Sequence, residues 1–201
     1  MSLFRSKGFT LIELMLTVAI AAILLAVAVP ALTNLMIKNQ LSGQIQTLQG
    51  TINFARSEAI KRGRHVSICK SIDQSTCCQV SGSTCTDWSG GWIVFENSDN
   101  DVPADRDDIG GPNEETLLRV FPALPSGYTL SANNNFTNFV TYNRLGMANQ
   151  MGTFVFCKNS DETMARAIVV TQTRPRIAID ASGNGIPEND TGGDISSCEN
   201  P

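Results

Sequence analysis

Hydrophobic positions fall along this chain in three regimes, each predicting a different element. Residues 9–29 form an almost unbroken apolar run in which only Thr10, Glu13 and Thr17 are polar and only Glu13 is ionisable. At about 1.5 Å per residue, a helix of that length crosses the roughly 30 Å hydrocarbon core of a bilayer. A water-soluble core helix would carry a polar face, so the run predicts a transmembrane helix. Pro30 follows; a proline removes one backbone donor and crowds the preceding turn, which predicts a bend in a helix that continues.

In the second regime Leu41, Ile45, Leu48, Ile52, Ala55 and Ala59 recur at steps of four and three. That spacing draws one apolar stripe along an amphipathic helix, with Gln44, Gln46, Thr47, Gln49, Asn53 and Arg56 on its wet side. Arg62 and Gly63 supply a basic last turn and a glycine cap. The whole helix would be about 80 Å long, its first half suited to a membrane and its second to packing on a sheet.

Beyond Gly63 the period drops to two. Segments 64–69, 92–95, 116–121, 139–142, 153–156, 167–170 and 176–179 alternate or run apolar, as strands do. Turn-forming residues separate them at 89–91, 110–112, 131–135 and 183–187. One long N-terminal α-helix followed by many short strands predicts an α+β fold, with the helix packed on an antiparallel β-sheet domain.

Length and charge restrict what such a domain can do. Of 201 residues, the 138 after Gly63 suffice for one modest core. The net charge is −4, so the body as a whole exerts no attraction on nucleic acid or anionic lipid, and DNA contact would need a local basic patch. Arg5 and Lys7 stand immediately before the apolar run. By the positive-inside tendency they stay cytoplasmic and the rest faces the periplasm or the exterior.

Six cysteines, at 69, 77, 78, 85, 157 and 198, agree with that topology. An even set in an exported body predicts disulfides. Zinc is the weaker reading, since Cys77 and Cys78 lack the Cys-x-x-Cys spacing and His65 is the only histidine. Cys157 and Cys198 stand apart and are the expected pair. Among Cys69, Cys77, Cys78 and Cys85 a bond between adjacent Cys77 and Cys78 would strain the backbone, and the other two arrangements remain open.

Candidate chemistry is sparse. The lone His65, beside Arg64 on an expected strand, lacks the partners of a catalytic base, and no nucleophile elbow, phosphate loop or His-Glu-x-x-His occurs. No catalytic residue, cofactor or metal site is expected. Residues 99–108 are rich in aspartate, but Pro103 stands at position five of the loop and position six is not glycine. The segment Asp180-Ala181-Ser182-Gly183-Asn184-Gly185 has oxygen side chains at one, three and five but Thr191 at position twelve. Both read as turns. Arg174-Pro175-Arg176 lies between two expected strands and so reads as a hairpin turn with two solvated arginines.

The run Lys7-Gly8-Phe9-Thr10-Leu11-Ile12-Glu13-Leu14 closely resembles the signature of type IV pilins and pseudopilins. A secretory signal fits less well, for its apolar region would be shorter and its cleavage site would lie beyond it. The resemblance implies cleavage by a prepilin peptidase between Gly8 and Phe9, N-methylation of Phe9, and assembly into a filament. It also implies that Glu13 pairs with the terminal amine of a neighbouring subunit. Removal of the leader would leave 13 basic side chains against 19 acidic ones. The later order is similar to the GspH/FimT subfamily: the stripe helix, then Cys69, then Trp88-Ser89-Gly90-Gly91-Trp92 with its apolar strand, the acidic loop and Leu117-Leu118-Arg119.

These resemblances imply residues 1–8 as leader, 9–29 as transmembrane or filament-core helix, 30–63 as its amphipathic continuation and 64–201 as a β-rich globular domain. The expected function is that of a minor pilin of a type IV pilus, initiating or capping assembly and serving motility, adhesion or DNA uptake. Its partners would be other pilins, the prepilin peptidase, an inner-membrane assembly platform and, before assembly, membrane lipid. A GspH-like pseudopilin of type II secretion is the alternative. So is a FimT-like DNA-uptake pilin, whose Gly-Arg-x-Arg loop is similar to Thr173-Arg174-Pro175-Arg176 except that Thr173 replaces the glycine.

Overall fold

The computed structural model describes residues 8–78, 85, 87–100, 106, 114–133, 136 and 138–199. The chain divides into two compact units, Met1–Asn39 and Gln40–Pro201. Helix α1, Leu11–Arg62, runs on past Pro30 as one helical element. Within the first unit every residue from 8 to 36 is exposed.

In the second unit the helix buries Leu41, Ile45, Leu48, Thr51, Ile52, Ala55 and Ala59. These are the six stripe positions with Thr51 added, whose hydroxyl donates to the Thr47 carbonyl at 2.8 Å and so enters the core already satisfied. The helix ends where Gly63 takes a φ of +66°. The Gly63 N–H donates to the Ile60 carbonyl and the Arg64 N–H to the Ala59 carbonyl, each at 3.3 Å. This paired closure satisfies two carbonyls that a helix end otherwise leaves orphaned.

Eight strands follow: β1 (His65–Lys70), β2 (Trp92–Asn97), β3 (Leu117–Phe121), β4 (Tyr128–Ala132), β5 (Phe139–Tyr142), β6 (Gly152–Lys158), β7 (Asp161–Val170) and β8 (Pro175–Ile177). They form two four-stranded sheets, ordered β3-β2-β1-β5 and β4-β6-β7-β8, and every pairing is antiparallel. The expected antiparallel sheet is thus divided in two. Strand β4 lies partly where a turn over 131–135 was expected, because Ser131 pairs with Val155 rather than turning. The last strand is Pro175–Ile177 instead of residues 176–179.

Each sheet packs side chains on both of its faces. On the first, Arg119 opposes Val94 and its guanidinium lies 3.8 Å over the Phe54 ring of α1. The face carrying Val66, Ile68 and Val94 therefore looks toward the helix. Its other face carries Cys69, Ile93 and Phe95, which cluster with Cys77 from the following loop. On the second sheet, Phe154 meets Trp88 edge-on at 5.0 Å and stacks on Phe136 at 5.2 Å, and the Trp88 indole donates to the Phe136 carbonyl at 2.9 Å. The opposite face carries Val155, Cys157, Ala165, Ala167 and Val169, covered by Ala178, Ile195 and Cys198 of the C-terminal segment.

Candidate functional site

The N-terminal segment carries the main group of candidate residues. Gly8 and Phe9 are exposed, and Thr10 precedes the helix. The Thr10 hydroxyl accepts the Glu13 N–H at 3.3 Å, and its carbonyl accepts the Leu14 N–H at 3.1 Å. Thr10 is therefore the N-cap and Glu13 the third helical residue. The sequence reading treats Thr10 only as a polar residue of the apolar run and misses its role as the cap. The signal was present, since Thr-x-x-Glu ahead of an apolar run is the spacing of a capping box.

The remaining hydroxyls of the segment look after themselves. Thr17 donates to the Leu14 carbonyl at 2.8 Å and Thr33 to the Val29 carbonyl at 2.7 Å. Such internal bonds let a threonine sit in an apolar medium without an unsatisfied donor. Among the described residues, no hydrogen-bond or ion-pair partner meets the Glu13 carboxylate. It stands in the first turn, where the positive end of the helix dipole favours an anion. A carboxylate on an otherwise apolar surface is open to a cation or a hydrogen-bond donor brought by another group. Arg5 and Lys7, on which the leader and orientation expectations rest, lie outside the described residues.

In the body, disulfides join Cys69 to Cys77, Cys78 to Cys85 and Cys157 to Cys198. The first two select one of the two arrangements left open by the sequence. Cys69–Cys77 fastens the loop that covers the outer face of the first sheet, and Cys157–Cys198 fastens the C-terminal segment over the outer face of the second. Asp73 organises the first of these loops. Its carboxylate accepts from the Ser71 hydroxyl and the Ser75 and Thr76 N–H groups through Oδ1, and from the Thr76 hydroxyl through Oδ2.

The remaining candidates are turns and strands. Thr171 and Arg174 close a turn by three mutual hydrogen bonds, between 2.8 and 3.3 Å. Arg176 is not in that turn, contrary to expectation: it lies in β8 opposite Val169, because Pro175 already pairs with Val170. Both arginines are exposed, and among the described residues neither guanidinium meets a carboxylate. Asp180 accepts backbone N–H groups from Gly183, Asn184 and Gly185, so its oxygens serve the turn. The aspartate-rich stretch 99–108 lies outside the described residues except at 99, 100 and 106.

The profile of the family described as "Type II transport protein GspH" matches residues 44–174. The chain belongs to the GspH family. A second profile, the prokaryotic N-terminal methylation motif, matches residues 3–29. The chain is also similar in fold to the Pseudomonas aeruginosa type IV minor pilin FimU. In one crystal form of FimU the match covers 80% of this chain and 96% of that one, at 18% identity and a TM-score of 0.50. In a second form it covers 76% and 95%, at 18% identity and a TM-score of 0.48. No curated protein matches the sequence. GspH-family chains are pilin-like structural subunits, and this chain's helix-plus-sheet body is that fold. The GspH match begins inside α1 and ends at Arg174, so β8 and the segment held by Cys198 lie beyond it.

Proposed function

We propose that this chain is a minor subunit of a type IV pilus, held in the inner membrane by residues 9–29 before assembly, with its β-rich domain in the periplasm. A prepilin peptidase cuts between Gly8 and Phe9, the new terminus is methylated, and the stem enters a filament beside other pilins. There Glu13 neutralises the terminal amine of a neighbour. In low dielectric a carboxylate without a partner is strongly unfavourable, so this pairing also fixes each stem's axial position. The observation that supports the reading is an apolar helical stem whose threonines are internally satisfied while its one carboxylate is not. The body's role is contact, near the filament tip or in priming assembly.

The description of the matching family favours a second reading, a minor pseudopilin of type II secretion. Deletion separates the two. Loss of surface pili and twitching with normal secretion of hydrolases supports the pilus; a secretion defect with normal pili supports the pseudopilus and refutes our reading. DNA uptake would rest on Arg174 and Arg176, which could neutralise about two phosphates, a small share of the contacts DNA binders use. Scoring the same deletion for transformation tests it.

A further inference from the structure

The end of α1 and the loop after β5 together display a group of exposed apolar side chains. Gly146 is buried against Ile60 so closely that no side chain would fit between them. Its neighbours Leu145 and Met147 stand out on either side, 71% and 38% exposed, and Ile60 is itself 50% exposed. Scattered apolar residues on a surface are ordinary, whereas a group of them with a polar rim marks a contact surface. The loop that presents them is stiff. The Asn143 N–H donates to the Met147 carbonyl at 3.0 Å, the Gly146 N–H to the Asn143 carbonyl at 2.8 Å, and the Ala148 N–H to the Gln172 carbonyl at 2.9 Å. Arg56 holds the Gly146 carbonyl from the helix side. A backbone so constrained has little entropy left to lose when its side chains are covered, which makes the exposed leucine a preorganised anchor.

Charge selects what can cover this patch. Lys61, next to Ile60, and Arg144, next to Leu145, are both exposed, and Arg144 meets no carboxylate among the described residues. Glu58 is shared by Lys61 and Arg62, and Glu96 by Arg62 and Arg64. The end of the helix therefore keeps a surplus of positive charge on a chain whose net charge is −4. Two such patches face to face would bring like charges together, which disfavours a symmetric contact between copies. Nucleic acid is a poor match, because phosphates would leave the apolar side chains uncovered and so few cations release few counterions. The complementary surface is apolar at its centre and carries carboxylates at its rim.

We infer that a neighbouring pilin-like subunit of different sequence docks on this patch, seating Leu145 in an apolar recess whose rim sets Asp or Glu side chains opposite Lys61 and Arg144. The inference rests on the reading of the chain as a filament subunit, and holds for a pilus and a pseudopilus alike. A subunit placed near a filament tip meets neighbours of other kinds, so the contact joins one unlike partner and does not propagate.

A photo-crosslinking benzophenone side chain at position 145 of the full chain, activated in cells, reads the contact directly. The expected adduct is with a different subunit that has its own N-terminal methylation motif, mapped to a peptide of apolar residues flanked by Asp or Glu. Arg144→Glu combined with Lys61→Glu should lower its yield by about tenfold or more. An adduct with lipid, with a second copy or with a protein lacking the motif would overturn the proposal. So would the absence of an adduct, or one indifferent to the charge reversal. The second arm is Leu145→Asp, which should lower the chain's share in the filament fraction by about tenfold or more, while Leu145→Met stays close to wild type. Leu145 is exposed, so the melting temperature should not move; if it falls, Arg144→Glu alone takes its place with the same expectation. Normal incorporation of these variants would overturn the proposal. Failure of the filament reading looks different, since the wild type itself would then be missing from the filament fraction.

Discussion

The Arg56 side chain on α1 donates its Nε–H to the Gly146 carbonyl at 2.9 Å, across 90 residues of sequence. This bond ties the loop after β5 to the helix, and Asn143 stiffens that loop by accepting the Leu145 and Met147 N–H groups at 2.9 and 3.0 Å. Gly146 has a φ of +74°, and a Cβ there would stand 2.5 Å from Ile60 Cδ1. Gly146→Ala should therefore destabilise the body by about 1–2 kcal/mol, part backbone strain and part displacement of Ile60. Gly91 is stricter. At φ +108° its Cβ would meet the Phe121 carbonyl oxygen at 2.6 Å, and backbone cannot rotate aside. Gly91→Ala should cost about 3 kcal/mol or more. Denaturant midpoints of the two variants should rank in that order, and equal midpoints would contradict the steric account.

The disulfides should differ in weight. Cys157 and Cys198 are 41 residues apart, Cys69 and Cys77 only 8. Loop-closure entropy then assigns about 4 kcal/mol to the first and about 2.5 kcal/mol to the second. Paired alanine variants, unfolded in denaturant, should lose stability in that order. Loss of Cys157–Cys198 should also loosen the segment covering the second sheet, visible as faster amide exchange at Ile195 than at Ile93.

Acid should release the first loop before the sheets. Burial tends to raise the Asp73 pKa. Hydrogen bonds from the Thr76 hydroxyl, the Thr76 and Ser75 N–H groups and the Ser71 hydroxyl outweigh it and hold the carboxyl down to about 2. A group lowered from its usual 3.8 binds its proton more readily when unfolded. Its stabilisation is thus complete above about pH 4 and disappears as pH falls toward about 2. Asp73→Asn should be less stable than wild type at pH 5, and the gap should narrow between pH 4 and pH 2. A gap that stays constant over that range would remove Asp73 from the account.

What was legible in the sequence was what periodicity and covalent spacing encode. The stripe from Leu41 to Ala59 announced its buried face because a single helix face must alternate steps of three and four. The strand cores at Ile93 and Val155 were legible for the same kind of reason. Strand β4 was not, since Tyr128-Thr129-Leu130-Ser131-Ala132 has hydroxyl residues on the face that lines a cavity, so its polar positions look like turn. The division into two sheets depends on which strands pair across long separations, such as β4 with β6, and local pattern carries no record of that. The pairing of Cys69 with Cys77 likewise became visible only once both lay against Ile93 and Phe95.

The last prediction concerns Glu13. Removing a carboxylate from an apolar helix relieves an insertion penalty of roughly 2.5–3.5 kcal/mol, so Glu13→Ala should reach the membrane at least as well as wild type. Assembly should respond in the opposite sense, because the neighbour's terminal amine would then be buried without an anion, and breaking a buried pair typically costs about 3–5 kcal/mol. Glu13→Gln keeps the size and one acceptor but not the charge, and should behave like the alanine variant if charge is what matters. The measurement is the amount of each variant in the sheared filament fraction relative to the membrane fraction, with at least an about tenfold drop expected for both substitutions. A glutamine variant that assembles normally would mean that shape or hydrogen bonding, not charge neutralisation, positions the stem. Because Thr10 caps the helix independently of the Glu13 carboxylate, Thr10→Val separates the two effects: it should fray the first turn while leaving the carboxylate in place.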